Sequence, residues 1–311
     1  MAFNVAGLSA YTNEESTEVF VQKVTLNETG KYARVIPNVK STFALHLMLT
    51  TPLIQDGSSC GFTASGDVQL TDATLTTYAC KFEDTLCLRT LEAKWTQKLL
   101  TAGQDYSDDD IPAFIMSDLS DRIANLLETY DWTGTTGANY YGGIATVIDT
   151  ANTFTQANVA TYGTPIAAMS NSNIDEAIDM VTNAVIAKFP VWMTQSNVKW
   201  FVPIEWFGYF TQWTLRANYF HMKPESLGNN ELPIPGTPWT IVGVIGLAGT
   251  TKSYMMEVGD NGNLFMGTDL SGEELRARIW YSNDDDNHKY SFRFRRGWQL
   301  AYPSRVIKFS Y

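Results

Sequence analysis

The sequence contains one long amphipathic stretch, SDDDIPAFIMSDLSDRIANLLETYDWTG, which runs from Ser107 to Gly134. Between Ile111 and Tyr130 its apolar residues recur at helical spacing over about five turns. The acidic residues before Ile111 and the proline at position 112 suit a helix N-terminus, and Gly134 suits a helix end. The stretch therefore predicts a long helix, which can serve as the spine of a domain.

Two further helices and a series of strands are predicted downstream of this helix. Asn173 and Glu176 have the spacing of a capping box, so a helix is expected to start there and to end before Pro190. Pro203 is expected to open another helix. Apolar runs of strand length, and apolar residues that alternate with polar or basic ones, predict strands in the C-terminal half. These predicted strands are residues 198–202, 240–247, 275–280, 290–295 and 306–309.

Segments upstream of the long helix lack an obvious core of their own. Residues 1–36 are polar and have no strong periodicity, which predicts an extended arm. The stretch from Asp67 to Cys80 is rich in Thr and Asp and predicts a two-stranded excursion without an obvious apolar face. Because such a hairpin is marginal alone in water, we expect both segments to lie against a neighbour. Residues 86–100 have the apolar spacing of a further helix.

Composition excludes several classes of protein. The chain has 311 residues, of which 44% are hydrophobic and 13% aromatic, and this excludes a disordered chain. Only 18% are charged, against a typical share of roughly 25%, so little charge remains to cover an isolated surface. The net charge of −11 disfavours a general nucleic-acid binder. The chain starts with no signal peptide and has no run near the ~18 apolar residues of a membrane span, so we expect a soluble protein.

The charge is distributed unevenly along the chain. Residues 1–270 carry a net charge of −14, whereas residues 271–311 carry a net charge of +3. An acidic body and a basic end would attract each other between subunits, since complementary potentials steer association. The alternative is that the basic residues merely line the outward face of C-terminal strands.

The sequence has no recognisable motif for catalysis, a cofactor or a metal. Cys60, Cys80 and Cys87 have no C-x-x-C spacing and the three histidines are scattered, which disfavours a zinc site and a Cys–His nucleophile. The acidic runs at 108–110 and 284–286 lack the spacing of an EF-hand loop. There is neither a P-loop nor a G-x-S-x-G motif. We therefore predict no catalytic residues, no cofactor, no metal and no enzyme activity.

The order of these segments resembles that of the major capsid protein of tailed bacteriophages, which has the Hong Kong 97-type fold. Residues 1–36 look like that family's N-terminal arm, residues 50–85 like its extended loop and Ile111–Tyr130 like its spine helix. Other similar segments are DWTG at 131–134, GGIATVID at 142–149, NVKWFVP at 197–203, LPIPGTPWTIVGVIGL at 232–247, GDNGNLFMGTDL at 259–270 and RFRRGWQLAYPSRVIKFSY at 293–311.

The resemblance implies an α+β fold divided into an arm, an extended β-hairpin loop, a peripheral domain with the spine helix, and an axial domain. The implied boundaries are 1–36 for the arm, 37–49 for the start of the peripheral domain, 50–85 for the extended loop, 86–132 for the peripheral domain with its spine helix, 133–272 for the axial domain and 273–311 for the closing strands of the peripheral domain.

The resemblance also implies what the protein assembles with. Members of this family form hexamers and pentamers of themselves, and these build an icosahedral shell around double-stranded DNA that is not bound sequence-specifically. Implied partners are a separate scaffold protein, a portal protein and decoration proteins, with no membrane. The expected location is the virion capsid, assembled in the host cytoplasm. The Thr-rich loop that carries cysteines is similar to capsid proteins of phages that infect Bacteroidetes.

Six charged residues are candidates for contacts between subunits. They lie in the segment similar to the extended loop and in the basic C-terminal strands, namely Lys81, Glu83, Asp84, Arg293, Arg295 and Arg296. Some family members crosslink a loop lysine to an asparagine of a neighbour. Lys81 is the lysine of that loop here, but no asparagine or glutamate partner can be matched, so this chemistry is not carried over.

Two other functions remain open from the sequence. An encapsulin nanocompartment has the same fold and stores cargo proteins, but the long Cys- and Thr-rich loop and the chain length favour a virus. A soluble α+β hydrolase that uses Asp or Glu belongs to a different class, and it predicts a compact monomer with a cleft instead of a particle of megadalton mass.

Overall fold

The structure is a computed structural model that describes residues 29–56, 66–86, 110–135, 140–217, 230–260, 262–269, 276–282 and 287–311. Residues 1–28 of the predicted arm, nearly all of the predicted helix at 86–100 and the acidic turn at 284–286 lie outside these ranges. So do Cys60 and Cys87. The described residues form mixed helices and sheets, as the sequence predicted.

Four α-helices lie in the described part of the chain. They are α1 (Asp110–Thr133), α2 (Ile144–Ala151), α3 (Ile174–Lys188) and α4 (Ile204–Arg216). The long helix predicted from the amphipathic stretch is α1. It ends at Thr133, as predicted, and the residue that follows must be glycine, because a Cβ atom at position 134 would collide with the carbonyl oxygen of Tyr130. The helices predicted around residue 180 and after Pro203 are confirmed as α3 and α4.

The capping box predicted for α3 is not formed. Asn173 occupies the position before the helix, but its side chain makes no capping bond to the first turn. Its Oδ1 atom instead accepts a hydrogen bond from the backbone N–H of Ser170 at 2.8 Å. The side chain therefore stabilises the turn that precedes α3, a competing local bond that sequence spacing cannot distinguish from a cap.

A six-stranded sheet occupies the middle and end of the chain. Its strand order is β5-β13-β9-β6-β8-β7. The strands are β5 (Thr155–Gln156), β6 (Val198–Pro203), β7 (Glu231–Pro233), β8 (Thr240–Val244), β9 (Lys252–Glu257) and β13 (Ile307–Ser310). The predicted strand at 240–247 is shorter than expected, because residues Ile245–Leu247 form a 3-10 turn that lies against α1.

A five-stranded sheet is organised around one long strand, β12 (Asn287–Leu300). Strand β12 pairs with three antiparallel strands, β4 (Tyr78–Leu86), β10 (Leu264–Thr268) and β11 (Arg276–Ser282). A short strand, β1 (Arg34–Ile36), adds to β10 in parallel. The sheet therefore joins strands that lie some two hundred residues apart in the sequence.

The third sheet is a two-stranded hairpin of β2 (Thr42–Thr51) and β3 (Asp67–Thr76). The prediction of a two-stranded excursion within Asp67–Cys80 was wrong in its pairing. That stretch holds β3 and the start of β4, and the partner of β3 is β2, which comes before it. Which strand pairs with β3 depends on a contact between segments, and no local sequence pattern shows it.

The two larger sheets share one hydrophobic core beneath the C-terminal part of α1. Trp132 packs against Phe201 and Tyr254 of the six-stranded sheet, with ring centroids 5.1 Å and 6.2 Å apart. Phe292 and Trp298 of β12 belong to the same buried cluster. A second cluster lies on the six-stranded sheet under α3 and α4 and includes Trp192, Trp200 and Trp239, all fully buried. The aromatic side chains named in these two clusters are therefore buried within the chain.

Candidate functional site

The hairpin of β2 and β3 exposes large apolar side chains. Met48 and Leu70 are directly opposite each other across the two strands, and they are 63% and 76% exposed. Val68 lies on the same face two residues from Leu70, and Leu53 and Ile54 follow β2, with Ile54 99% exposed. A group of exposed apolar residues of this kind marks an interaction surface more often than a solvated one. We call Met48, Leu53, Ile54, Val68 and Leu70 the hairpin apolar surface.

The base of the hairpin is held by its opposite face. Leu45 and Leu75 are buried there against Phe265 of β10 and Ala301. The hydroxyl of Tyr302 donates a hydrogen bond to the carbonyl oxygen of Met48 at 3.4 Å. One face of the hairpin thus packs at its base on the chain's own five-stranded sheet, and Met48, Val68 and Leu70 are exposed on the other face.

The charged strip beside the hairpin is formed by β4 and β12. Lys81 and Arg293 are register partners, and the carboxylate of Glu83 lies between them. Glu83 is 2.5 Å from Lys81 Nζ and 3.2 Å from an Arg293 terminal nitrogen. Hydrogen bonds from Lys81 and Arg293 hold the pKa of the Glu83 carboxyl below its usual range. The Lys81 and Arg293 side chains are mostly exposed, so they remain accessible to another molecule.

Arg295 extends the charged strip along β12, whereas Asp84 lies on the opposite face of the sheet, paired with Tyr290. The hydroxyl of Tyr290 donates a hydrogen bond to Asp84 at 3.1 Å, and burial together with this bond raises the pKa of Tyr290 to about 12. Arg295 donates to the carbonyl oxygen of Lys40 and lies 4.0 Å from the carboxylate of Asp269. Lys81, Arg293, Arg295 and Asp269 contribute to the lining of a cleft of about 420 Å³.

Arg296, the sixth sequence candidate, lies in the interior. Its side chain is 5% exposed, and its Nε atom is 3.3 Å from Oδ1 of Asp131, which is fully buried. The same oxygen accepts hydrogen bonds from the indole of Trp298 at 2.8 Å and from the hydroxyl of Tyr141 at 3.0 Å. The structure therefore gives Arg296 a fully buried partner, whereas Glu83 and Asp269, the carboxylates beside Arg293 and Arg295, are partly exposed.

The interior position of Arg296 follows from strand alternation, which the sequence analysis did not carry far enough. Phe292 and Phe294 define the inward face of β12, and Arg296 falls two residues further along the same face. Arg293 and Arg295 fall on the other face. Asp131 itself was missed because nothing in the sequence links it to a residue on β12.

A second buried carboxyl group, on Glu128, lies one helical turn before Asp131. Glu128 accepts hydrogen bonds from the hydroxyl and the backbone N–H of Thr29. The indole of Trp132 donates to the same Thr29 hydroxyl at 2.7 Å. Burial is the main cause that raises the pKa of Glu128, and the nearby Asp131 also raises it, while the Thr29 hydrogen bonds and Arg296 lower it; the net pKa is about 7. The sequence analysis did not single out this residue.

The end of the predicted arm is attached to the six-stranded sheet. Tyr32 is buried against Phe201, with ring centroids 5.2 Å apart, and its hydroxyl donates to Glu231 of β7. Lys199 and Lys31 lie 2.7 Å and 3.1 Å from the same carboxylate. Although burial raises it, these three donors lower the pKa of Glu231 to about 2. Residues 29–36 therefore lie on the chain's own body.

The described residues show no group of three or more His, Cys, Asp and Glu side chains placed to hold a metal ion. Within that part of the chain Cys80 is a half-buried thiol whose pKa is raised by burial. None of the described helices is both long enough and apolar enough to span a lipid bilayer. The candidate functional features are thus two surfaces, the hairpin apolar surface and the charged strip, together with the buried cluster at Thr29, Glu128 and Asp131.

Comparison with known proteins rests on structure alone, since no family model and no curated protein matches the sequence. The capsid of Myoviridae phage XM1 superimposes with a TM-score of 0.58 at 10% identity, over 92% of this chain and 91% of that chain. The capsid of the empty GTA particle gives a TM-score of 0.57 at 12% identity, over 93% of this chain and 90% of that chain.

The satellite phage P4 procapsid, whose structure includes the size determination (Sid) protein, gives a similar result. Its TM-score is 0.56 at 10% identity, and the match covers 94% of this chain and 98% of that chain. All three matches extend over nearly the whole of both chains, and their identity is low. The chain therefore has the fold of these capsid proteins.

Proposed function

We propose that the protein is a major capsid protein that assembles with copies of itself, as hexamers and pentamers, into an icosahedral shell around a phage genome. The observation that supports this most directly is the hairpin apolar surface. A two-stranded hairpin with one apolar face in water is marginal, and a neighbouring subunit would cover that face. The fold that this chain shares with solved capsid proteins also supports the proposal.

We further propose which part of the fold corresponds to each domain of a Hong Kong 97-type protein. The β2–β3 hairpin is assigned to the extended loop, and α1 with the five-stranded sheet to the peripheral domain of a Hong Kong 97-type protein. The six-stranded sheet with α3 and α4 is assigned to the axial domain. This assignment keeps the domain order proposed from the sequence, and it shifts the loop to the observed hairpin at residues 42–76.

Five of the charged candidates are retained as contacts between subunits, namely Lys81, Glu83, Asp84, Arg293 and Arg295. Asp84 lies on the opposite face of β4 and is bonded to Tyr290. The other four lie on the charged strip, where positive and negative groups alternate. Such a pattern is suited to fixing the register of a neighbour, since complementary charges add specificity. Arg296 is left out because it is buried against Asp131.

The net charge supports enclosure of DNA without tight binding. A chain of net charge −11 has little attraction for phosphates, and strong phosphate contacts would need many accessible basic residues. We propose a separate scaffold protein, a portal protein and decoration proteins as further partners, assembly in the host cytoplasm, and no enzyme activity. A host among the Bacteroidetes stays a prediction from the sequence.

The test is the mass of the purified full-length chain under assembly conditions, by light scattering and negative-stain microscopy. Closed shells of megadalton mass are expected. A monomer under every assembly condition would contradict the proposal and favour a soluble hydrolase. Shells that contain protein cargo instead of DNA, and that lack a portal vertex, would favour an encapsulin nanocompartment.

A further inference from the structure

The inference concerns the outer edge of β2, on the open side of the hairpin. Strand β2 pairs with β3 along its other edge, from Thr42 opposite Thr76 to Thr51 opposite Asp67. Each of its ten residues has one partner in unbroken order, so the ladder contains no bulge. No other described strand pairs with β2, because the hairpin is a sheet of two strands. Among the described residues, the backbone N–H and C=O groups on this outer edge therefore have no strand partner.

Strand β2 lacks the features that normally protect the edge of a sheet. Natural edge strands avoid pairing with other chains because they are short, carry charged residues, contain proline or contain a bulge. Strand β2 is ten residues long, and its sequence TFALHLMLTT has no Lys, Arg, Asp, Glu, Pro or Gly. Its only titratable side chain, His46, is already paired with Asp72 of β3 at 2.7 Å. A long, regular and uncharged edge of this kind is a template for a further strand.

The edge strands of the two larger sheets are protected, as far as the structure describes the chain. Strand β5 has two residues, and β1 and β7 have three each, with β7 ending in Pro233. Strand β11 contains Arg276 and Arg278, and β4 has charged residues at positions 81, 83 and 84. Strand β2 therefore differs from every one of these edge strands, because it is both long and free of charged residues.

The strand that fits this edge best is β2 of another copy of the chain. A partner strand must be extended and must have an unpaired edge of its own. It must also bring no charge into an apolar ladder, because burying an unpaired charge is costly. Among the described strands, β2 itself meets all three conditions. Each copy has a net charge of −11, so two copies repel each other in general, and β2 lets them meet without like charges placed opposite each other.

Pairing of this kind would also bring the apolar faces of two hairpins together. Identical antiparallel strands are related by a two-fold axis perpendicular to their sheet, and this axis keeps equivalent faces on the same side. Met48, Val68 and Leu70 of both copies would then lie on one face of a four-stranded sheet. Leu45 and Leu75 are on the opposite face, where each hairpin base stays packed on its own five-stranded sheet. The two hairpin apolar surfaces thus become one continuous surface.

We propose that the outer edge of β2 is a site of β-strand addition, at which β2 of a second copy pairs in antiparallel orientation. Backbone hydrogen bonds form along an edge that otherwise faces water, and two hairpins become one sheet of four strands. The inference rests on the proposed function, since it takes a second copy as the molecule that meets the hairpin. It adds which strand makes the contact and in which direction the two chains run.

The test is a cysteine scan of β2 in the associated full-length protein. The natural Cys60, Cys80 and Cys87 are replaced by serine, each position of β2 is changed to cysteine in turn, and the protein is mildly oxidised. The two-fold axis places one residue opposite its own copy, with Cα atoms about 4.5–5.5 Å apart, which a disulfide can bridge. The next positions lie about 8 Å from their copies, which is too far. Disulfide-linked dimers should therefore form at one position of β2, and the control Leu70→Cys on β3 should form none.

Associated protein that forms no disulfide at any position of β2, or that links β2 to a different segment, would overturn the inference and leave the proposed function standing. A chain that stays a monomer under every assembly condition would overturn both. Should the variants without natural cysteines fail to fold, amide hydrogen exchange of the wild type decides the question. On association, about half of the amides in residues 42–51 should exchange more slowly, because alternate N–H groups point to the outer edge. Unchanged exchange of this peptide would contradict the inference.

Discussion

The six-stranded sheet buries its large apolar residues within the chain, whereas the β2–β3 hairpin leaves several of its apolar residues exposed. Trp192, Trp200 and Trp239 on the sheet are fully buried beneath α3 and α4. Met48 and Leu70 on the hairpin are mostly exposed, although they occupy paired positions in a regular ladder. The sheet buries these residues within one chain, whereas we propose that the outer face of the hairpin is covered by another molecule. Stability and assembly should therefore respond to different substitutions.

The largest expected effect is on the six-stranded sheet. Trp200→Ala should lower the free energy of unfolding by about 3–5 kcal/mol, because it removes a fully buried indole and leaves a cavity. The hydrogen bond from its indole to Ser253 would also be lost. Urea denaturation measures the change. Trp280→Ala on β11 is the matched control, since that side chain is 42% exposed, and it should change stability little. Equal losses for the two tryptophans would contradict the burial described here.

Two arginines on β12, the exposed Arg293 and the buried Arg296, test the same contrast between exposed and buried side chains. Arg296→Met should lower the free energy of unfolding by about 3–5 kcal/mol, because it leaves the buried carboxylate of Asp131 without its cation. Arg293→Met removes an exposed partner of Glu83 and should cost under about 1 kcal/mol. Thermal and urea unfolding of the two variants provide the comparison. A mild Arg296→Met variant would show that Asp131 is satisfied by Trp298 and Tyr141 alone.

A smaller effect is expected for the buried carboxyl group on α1, and it depends on pH. The pKa of Glu128 is about 7 in the folded chain, above its ordinary value of 4.5, so stability is highest at low pH and is lost as the pH rises to 7. Glu128→Gln should match the wild type near pH 5 and exceed it by about 2–3 kcal/mol at pH 8. Urea titrations at the two pH values measure this difference, which Glu176→Gln should not reproduce.

These contrasts indicate how far the sequence alone predicts the fold. The helices α1, α3 and α4 and the strands β6 and β12 were predictable, because their periodicity and end signals are local. The pairing of β4 with β12, and of β2 with β3, was not, because contacts between distant segments leave no local pattern.

The candidate site, like the fold, could be predicted only in part from the sequence. Lys81, Glu83, Asp84, Arg293 and Arg295 were selected from the segment similar to the extended loop and from the basic C-terminal strands. The structure brings four of them to one strip and places Asp84 on the opposite face of the sheet. Glu128 was not singled out from the sequence, and Asp131 was named only as the first residue of the DWTG segment. Their importance arises from Thr29 and Arg296, which the fold brings from both ends of the chain.

The smallest effect on stability is expected at the hairpin apolar surface. Met48→Ser combined with Leu70→Ser should change the free energy of unfolding of the single chain by about 0.5 kcal/mol or less, because both side chains are already in water. Urea denaturation of the unassembled chain measures it. Leu45→Ser, on the buried face of the same strand, should be clearly more destabilising and serves as the control.

The central claim is that this same surface is completed by a second copy of the chain. The most direct measurement is the mass distribution, by light scattering, of the wild type and of the Met48→Ser and Leu70→Ser double variant under identical assembly conditions. We predict megadalton particles for the wild type and a folded monomer, or small oligomers, for the double variant. Particles of the same mass and yield from both proteins would contradict the account.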